Sequence, residues 1–82
     1  MKQLLTLEDY LSFQYPITLL QIDNVVELWL PDFGRGSSGI ESIDLIDGLA
    51  ELDRIRIATI KFLYREERFI PLPFSANPEE EN

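Results

Sequence analysis

The sequence predicts an α+β fold, a small antiparallel sheet packed on one long helix. Three observations predict it. Ile17 to Ile22 and Val25 to Leu30 are rich in β-branched and aliphatic residues and are separated only by Asp23-Asn24, which is a hairpin pattern. Apolar residues then recur at helical spacing from Ile43 to about Glu66, the mark of an amphipathic helix. An extended stretch with Pro71 and Pro73, Phe69 to Phe74, follows that helix. The expected order is β-β-(β)-α-β: two or three strands, the helix, and a C-terminal edge segment.

Thr6 is placed to N-cap a short helical turn over Leu7 to Phe13, with Glu8 and Asp9 near the positive end of its dipole. Pro16 pushes Tyr15 toward extended geometry and ends that turn. In the second strand Val26, Leu28 and Leu30 alternate with Val25, Glu27 and Trp29, so Trp29 falls on the more polar face. Gly34-Arg35-Gly36-Ser37-Ser38-Gly39 reads as a loop or a poorly formed edge strand. It lacks the Lys-Ser/Thr ending of a phosphate-cradling loop.

Ser42 is the expected N-cap of the long helix. Leu45, Ile46, Leu49, Ala50, Leu52, Ile57, Ile60, Leu63 and Tyr64 share one broad arc, and Asp47, Glu51, Arg54 and Arg65 lie opposite. Asp53 and Arg56 interrupt the arc and are expected to pair locally or across an interface. Gly48 costs a helix about 1 kcal/mol relative to Ala, unless close packing needs the missing side chain. Ile55 and Phe62 fall beside the polar side and are the candidates for self-association. Residues 1–74 are expected to form a single domain, and residues 75–82 a disordered acidic tail.

The chain of 82 residues is 45% hydrophobic and carries 15 acidic against 7 basic residues, a formal charge of −8. So short a chain buries a thin core, which makes a partner or a homodimer or higher oligomer expected. The acidic balance repels phosphate backbones and anionic lipid and attracts basic partners. The absence of Cys and His removes disulfides, Cys-based metal sites, the usual general base and the Ser-His and Cys-His nucleophile pairs. No apolar run reaches membrane-spanning length and no signal-peptide pattern is present, so the chain is expected in the cytoplasm. Carboxylates alone remain for catalysis. Asp23, Glu27, Asp32 and Asp44 are the set a metal-dependent nuclease would draw on. Each also has an ordinary reason to be acidic, at a turn, a strand end or a helix start. The expectation is a non-enzymatic chain with no cofactor and no metal.

Four motifs, in this order, resemble the HicB-type antitoxin domain of bacterial and archaeal toxin–antitoxin pairs. They are Leu7-Glu8-Asp9-Tyr10-Leu11 with Tyr15-Pro16-Ile17, then Leu30-Pro31-Asp32-Phe33, then Glu41-Ser42-Ile43-Asp44, then Ile70-Pro71-Leu72-Pro73. The resemblance runs from Leu7 to Pro73. The chain departs from the family after the Pro-Asp-apolar element, where Gly34-Arg35-Gly36 stands in place of Pro-Gly-Cys. It also has Ile40 where the family has a glycine, and Ile46 where an alanine often begins the helix's buried stripe.

The resemblance implies a reduced RNase H-like fold without catalytic carboxylates. It also implies neutralisation of a small basic RNA-targeting toxin of HicA type by covering its RNA-acting surface. Many members add a C-terminal DNA-binding domain; none follows here, so no direct nucleic-acid binding is expected of this chain. The residues expected to meet a partner, from exposure and chemistry, are Trp29, Asp32, Phe33, Arg35, Asp44 and Asp47. The alternative is an orphan self-associating scaffold or regulatory domain with no toxin partner, and a metal-dependent nuclease stands third.

Overall fold

A computed structural model describes residues 5–73; the expected acidic tail lies outside the described residues. The fold is α+β, a three-stranded antiparallel sheet with one long helix across it. A short helix α1 (Leu7–Ser12) leads in, capped as the sequence predicts. The Thr6 hydroxyl accepts from the Asp9 amide at 3.1 Å, and the Asp9 carboxylate accepts from the Thr6 amide at 2.9 Å. This reciprocal pair satisfies two donors that a helix start otherwise leaves open.

Strands β1 (Thr18–Ile22) and β2 (Val25–Trp29) form the hairpin, with Leu19 opposite Leu28 and Leu20 opposite Glu27. Asp23 makes the turn with a left-handed φ of 55°, a conformation that Asp tolerates better than most residues. A 3₁₀ turn (Pro31–Phe33) and a four-residue helix α2 (Arg35–Ser38) follow. The glycine-rich stretch is therefore a helical turn and not a strand. The third strand β3 (Ile40–Ser42) comes after it and pairs antiparallel with β2, in the sheet order β1-β2-β3.

Helix α3 (Leu45–Arg65) is capped by Asp44, whose carboxylate accepts from the Ile46 and Asp47 amides at 2.8 and 3.1 Å. Ser42, the expected cap, braces Asp44 instead. Its hydroxyl accepts from the Asp44 amide and donates to the Asp44 carbonyl. α3 packs over β2 and β3. The core joins Val26, Leu28 and Leu30 to Leu52, Ile60, Tyr10, Tyr15 and Ile70. Gly48 faces the sheet, where an added Cβ would stand 2.8 Å from Leu28 Cδ1 and 3.1 Å from Ser42 Cβ. The helix approaches the sheet this closely because Gly48 has no side chain.

The predicted arc of α3 is buried in part. Leu52 and Ile60 are buried, whereas Leu45, Ile46, Leu49 and Ala50 are exposed. With Gly48 facing the sheet, Ile46 and Ala50 point away from it, and Leu45 and Leu49 lie to one side, where Leu49 lines the cleft with Ile17. Phe69 to Pro73 takes no place in the sheet. It packs on the core through Ile70 and Pro73, and the Tyr15 hydroxyl donates to the Pro71 carbonyl at 2.8 Å. Among the described residues, no helix is long and apolar enough to cross a membrane.

Candidate interaction surface

Among the described residues, the face of the sheet turned away from α3 is only partly covered, with Val25, Glu27 and Trp29 half-buried and Glu41 exposed. Period-2 alternation sends Val25, Glu27 and Trp29 there from β2, and the register sets Glu41 of β3 directly opposite Glu27. Two like charges opposite one another repel. A guanidinium relieves this pair. Arg35 donates from Nε to Glu27 Oε2 at 2.9 Å and from Nη2 to Glu27 Oε1 at 2.6 Å. This two-pronged bond holds the Glu27 carboxyl below its usual range and raises the Arg35 guanidinium above its own. The guanidinium carbon also lies 4.5 Å from the centre of the Trp29 ring, a cation–π contact.

The loop before the sheet's third strand places Arg35. Gly34 has φ 92°, in the region that favours glycine, and it turns the chain from the 3₁₀ turn into α2. Ser38 anchors α2 from inside. Its buried hydroxyl accepts from the Leu30 amide at 2.9 Å and lies 2.8 Å from the Gly34 carbonyl, to which it donates. With both ends of α2 fixed to the end of β2, Arg35 is held over Trp29 and Glu27. At the hairpin end, Asp23, Glu27 and Glu41 line a shallow depression of about 250 Å³ with Ile22 and Val25. The face thus combines an aromatic plate, one pinned cation and an acidic margin.

Of the residues expected at an interface, Trp29 and Arg35 come together here. Asp32 and Phe33 do not join them. Phe33 packs inward, its ring 4.8 Å from that of Tyr15. Asp32 is half-buried in the same 3₁₀ turn, and its charge helps to raise the Tyr15 pKa. Asp44 is occupied as the helix cap, while Asp47 is exposed one turn into α3. Glu27 and Glu41 are the members of this face that sequence reasoning left out of the interface. Period-2 alternation through Trp29 was the signal for Glu27; Glu41 became visible only with the β2–β3 register.

Of the two residues expected in self-association, Ile55 is half-buried and Phe62 is exposed, with Arg65 5.5 Å from its ring centre. Asp53 and Arg56 pair locally at 3.0 Å, and Arg56 also donates to the Leu11 carbonyl at 2.9 Å. They lie at the rim of a cleft of about 410 Å³ between α3 and the chain from Leu11 to Ile17. Among the described residues, no group of three or more acidic side chains is placed to hold a metal ion. No family model, no curated protein and no solved structure matches this chain.

Proposed function

We propose that this chain is an antitoxin-like protein that binds and neutralises a small basic RNA-targeting toxin of HicA type. The observation that carries the reading is the outer sheet face: Trp29 stacked with Arg35, beside Glu27, Glu41 and Asp23. A surface with an aromatic anchor and an acidic margin is built to meet a positive partner. The aromatic supplies buried area, and the acids steer the encounter and set the orientation. A toxin that holds RNA must itself be positive, so an acidic face is the complement of its working surface. The resemblance to the HicB type supplies the class of partner. Three strands before the long helix support that resemblance, with α2 standing between the second and the third.

The test is co-expression with a small basic protein of double-stranded-RNA-binding type encoded beside this chain. The expected results are a stable complex and rescue of cell growth. Trp29→Ala and Glu41→Lys are each expected to weaken the complex by about tenfold or more, with the circular dichroism of the free chain unchanged. Growth that stays arrested, with no complex formed, leaves the orphan scaffold as the reading. Cleavage of RNA by this chain alone with Mg²⁺ would replace both with the nuclease.

A further inference from the structure

We infer that β1 is a self-pairing edge, along which two copies of this chain join antiparallel through Thr18–Ile22 into one continuous sheet. The inference stands independently of the toxin reading. β1 is an edge of the sheet: β2 takes one flank, and no strand among the described residues takes the other. Among the described residues, the backbone donors and acceptors on that flank have no strand to pair with. Edge strands normally carry protection against pairing, such as a charge, a proline, a bulge or extreme shortness. β3, at the opposite edge, has three residues and carries Glu41. β1 has five residues, Thr-Leu-Leu-Gln-Ile, with no charge, no proline and no glycine.

The side chains agree with the backbone. α3 covers β2 and β3 and leaves the inner face of β1 open, so Ile17 and Leu19 are each 46% exposed. On the outer face Leu20 and Ile22 are 41% and 53% exposed. Across the cleft from Ile17 stands Leu49 of α3, also exposed, with Leu45 one turn before it.

Charge selects the occupant. Two bodies of formal charge −8 repel, and the repulsion is least where the strip along which they meet carries no charge itself. Thr18 through Ile22 is such a strip. A basic partner finds no acid within Thr18–Ile22 itself, and the acids beside it, Asp23 and Glu27, belong to the hairpin turn and to β2. Antiparallel pairing of a strand with its own copy is closed by a two-fold axis perpendicular to the sheet. That axis keeps both α3 helices on one side. With Leu20 on the axis, it sets Leu19 of each copy opposite Gln21 of the other on the inner face, the side on which Leu49 stands.

Sedimentation equilibrium of the full chain is expected to give a mass near twice 9.5 kDa. Leu20→Lys is the matched variant. Within one copy residue 20 faces Glu27, so a lysine there suits the single chain. Across the two-fold axis it meets the same lysine, and the dissociation constant of the dimer is expected to rise about tenfold or more. Amide exchange in β1 is expected to slow as concentration rises. Phe62→Lys is expected to leave the dimer intact. A chain that stays monomeric throughout overturns the inference. So does a dimer split by Phe62→Lys and not by Leu20→Lys, and so does a β1 protected only when a basic protein is added.

Discussion

Tyr15 ties the two ends of the described chain together with one hydroxyl, and that hydroxyl carries a pH signature. The ring is buried, and its hydroxyl donates to the Pro71 carbonyl at 2.8 Å. Burial is the main cause, followed by the charge of Asp32, that pushes its pKa from 10.0 to about 12. The folded chain therefore holds this proton more tightly than the unfolded chain does. The stabilisation is full below pH 10 and is lost as pH rises through 12. Denaturant titrations of the parent should show this alkaline loss. In Tyr15→Phe it should be largely absent, with a stability about 1 kcal/mol lower at neutral pH from the missing hydrogen bond. The parent and the variant losing stability in parallel above pH 10 would refute the assignment. Gly48 shows how far single residues were legible. Its helix cost marked it as needing a reason, and Leu28 and Ser42, which an added Cβ would strike, are that reason. Phe33 was not legible, because its direction depends on a 3₁₀ turn that its local pattern does not announce.

Elements with a strong period were readable, and those bounded by unusual backbone were not. The hairpin followed from two apolar runs and the Asp23-Asn24 turn, and α1 from the Thr6 cap with Glu8 and Asp9 in its first turn. A third strand before the helix was expected, but not its place at Ile40–Ser42, because a three-residue strand shows hardly one period and the glycines before it read as loop. The C-terminal end of α3 is instructive in the same way. The Glu67 amide bonds to the Tyr64 carbonyl at 3.1 Å and the Arg68 amide to the Leu63 carbonyl at 2.9 Å. This is the two-bond closure that usually has glycine at the left-handed position. Here Glu67 holds it, with φ 57°. A left-handed residue other than glycine costs about 1 kcal/mol or more. Glu67→Gly should therefore stabilise the fold by about 0.5–1 kcal/mol after the extra entropy glycine gives the unfolded chain is counted. A higher denaturation midpoint with an unchanged slope is the expected result; a lower one would mean that the Glu67 side chain contributes more than its backbone costs.

The whole molecule has two surfaces of opposite electrical character, and salt separates them. The uncharged strip from Thr18 to Ile22 ends at the hairpin turn, where Asp23 begins the acidic margin shared with Glu27 and Glu41. The formal charge of −8 acts on both surfaces with opposite sign. Toward a basic partner it is attractive and speeds the encounter. Toward a second copy it is repulsive, whatever the contact strip gains. Raising the ionic strength from about 0.01 to 0.15 M shortens the reach of charge from ~30 Å to ~8 Å. The association rate with a basic toxin should fall about tenfold or more over that range, while self-association should tighten. Stopped-flow association and sedimentation on one preparation measure the two trends together. The net charge was legible in the sequence. That it divides between an acidic sheet face and an uncharged edge was not, since the division depends on α3 lying over β2 and β3. A self-association that weakens with added salt would place the copies against charged groups and not along β1.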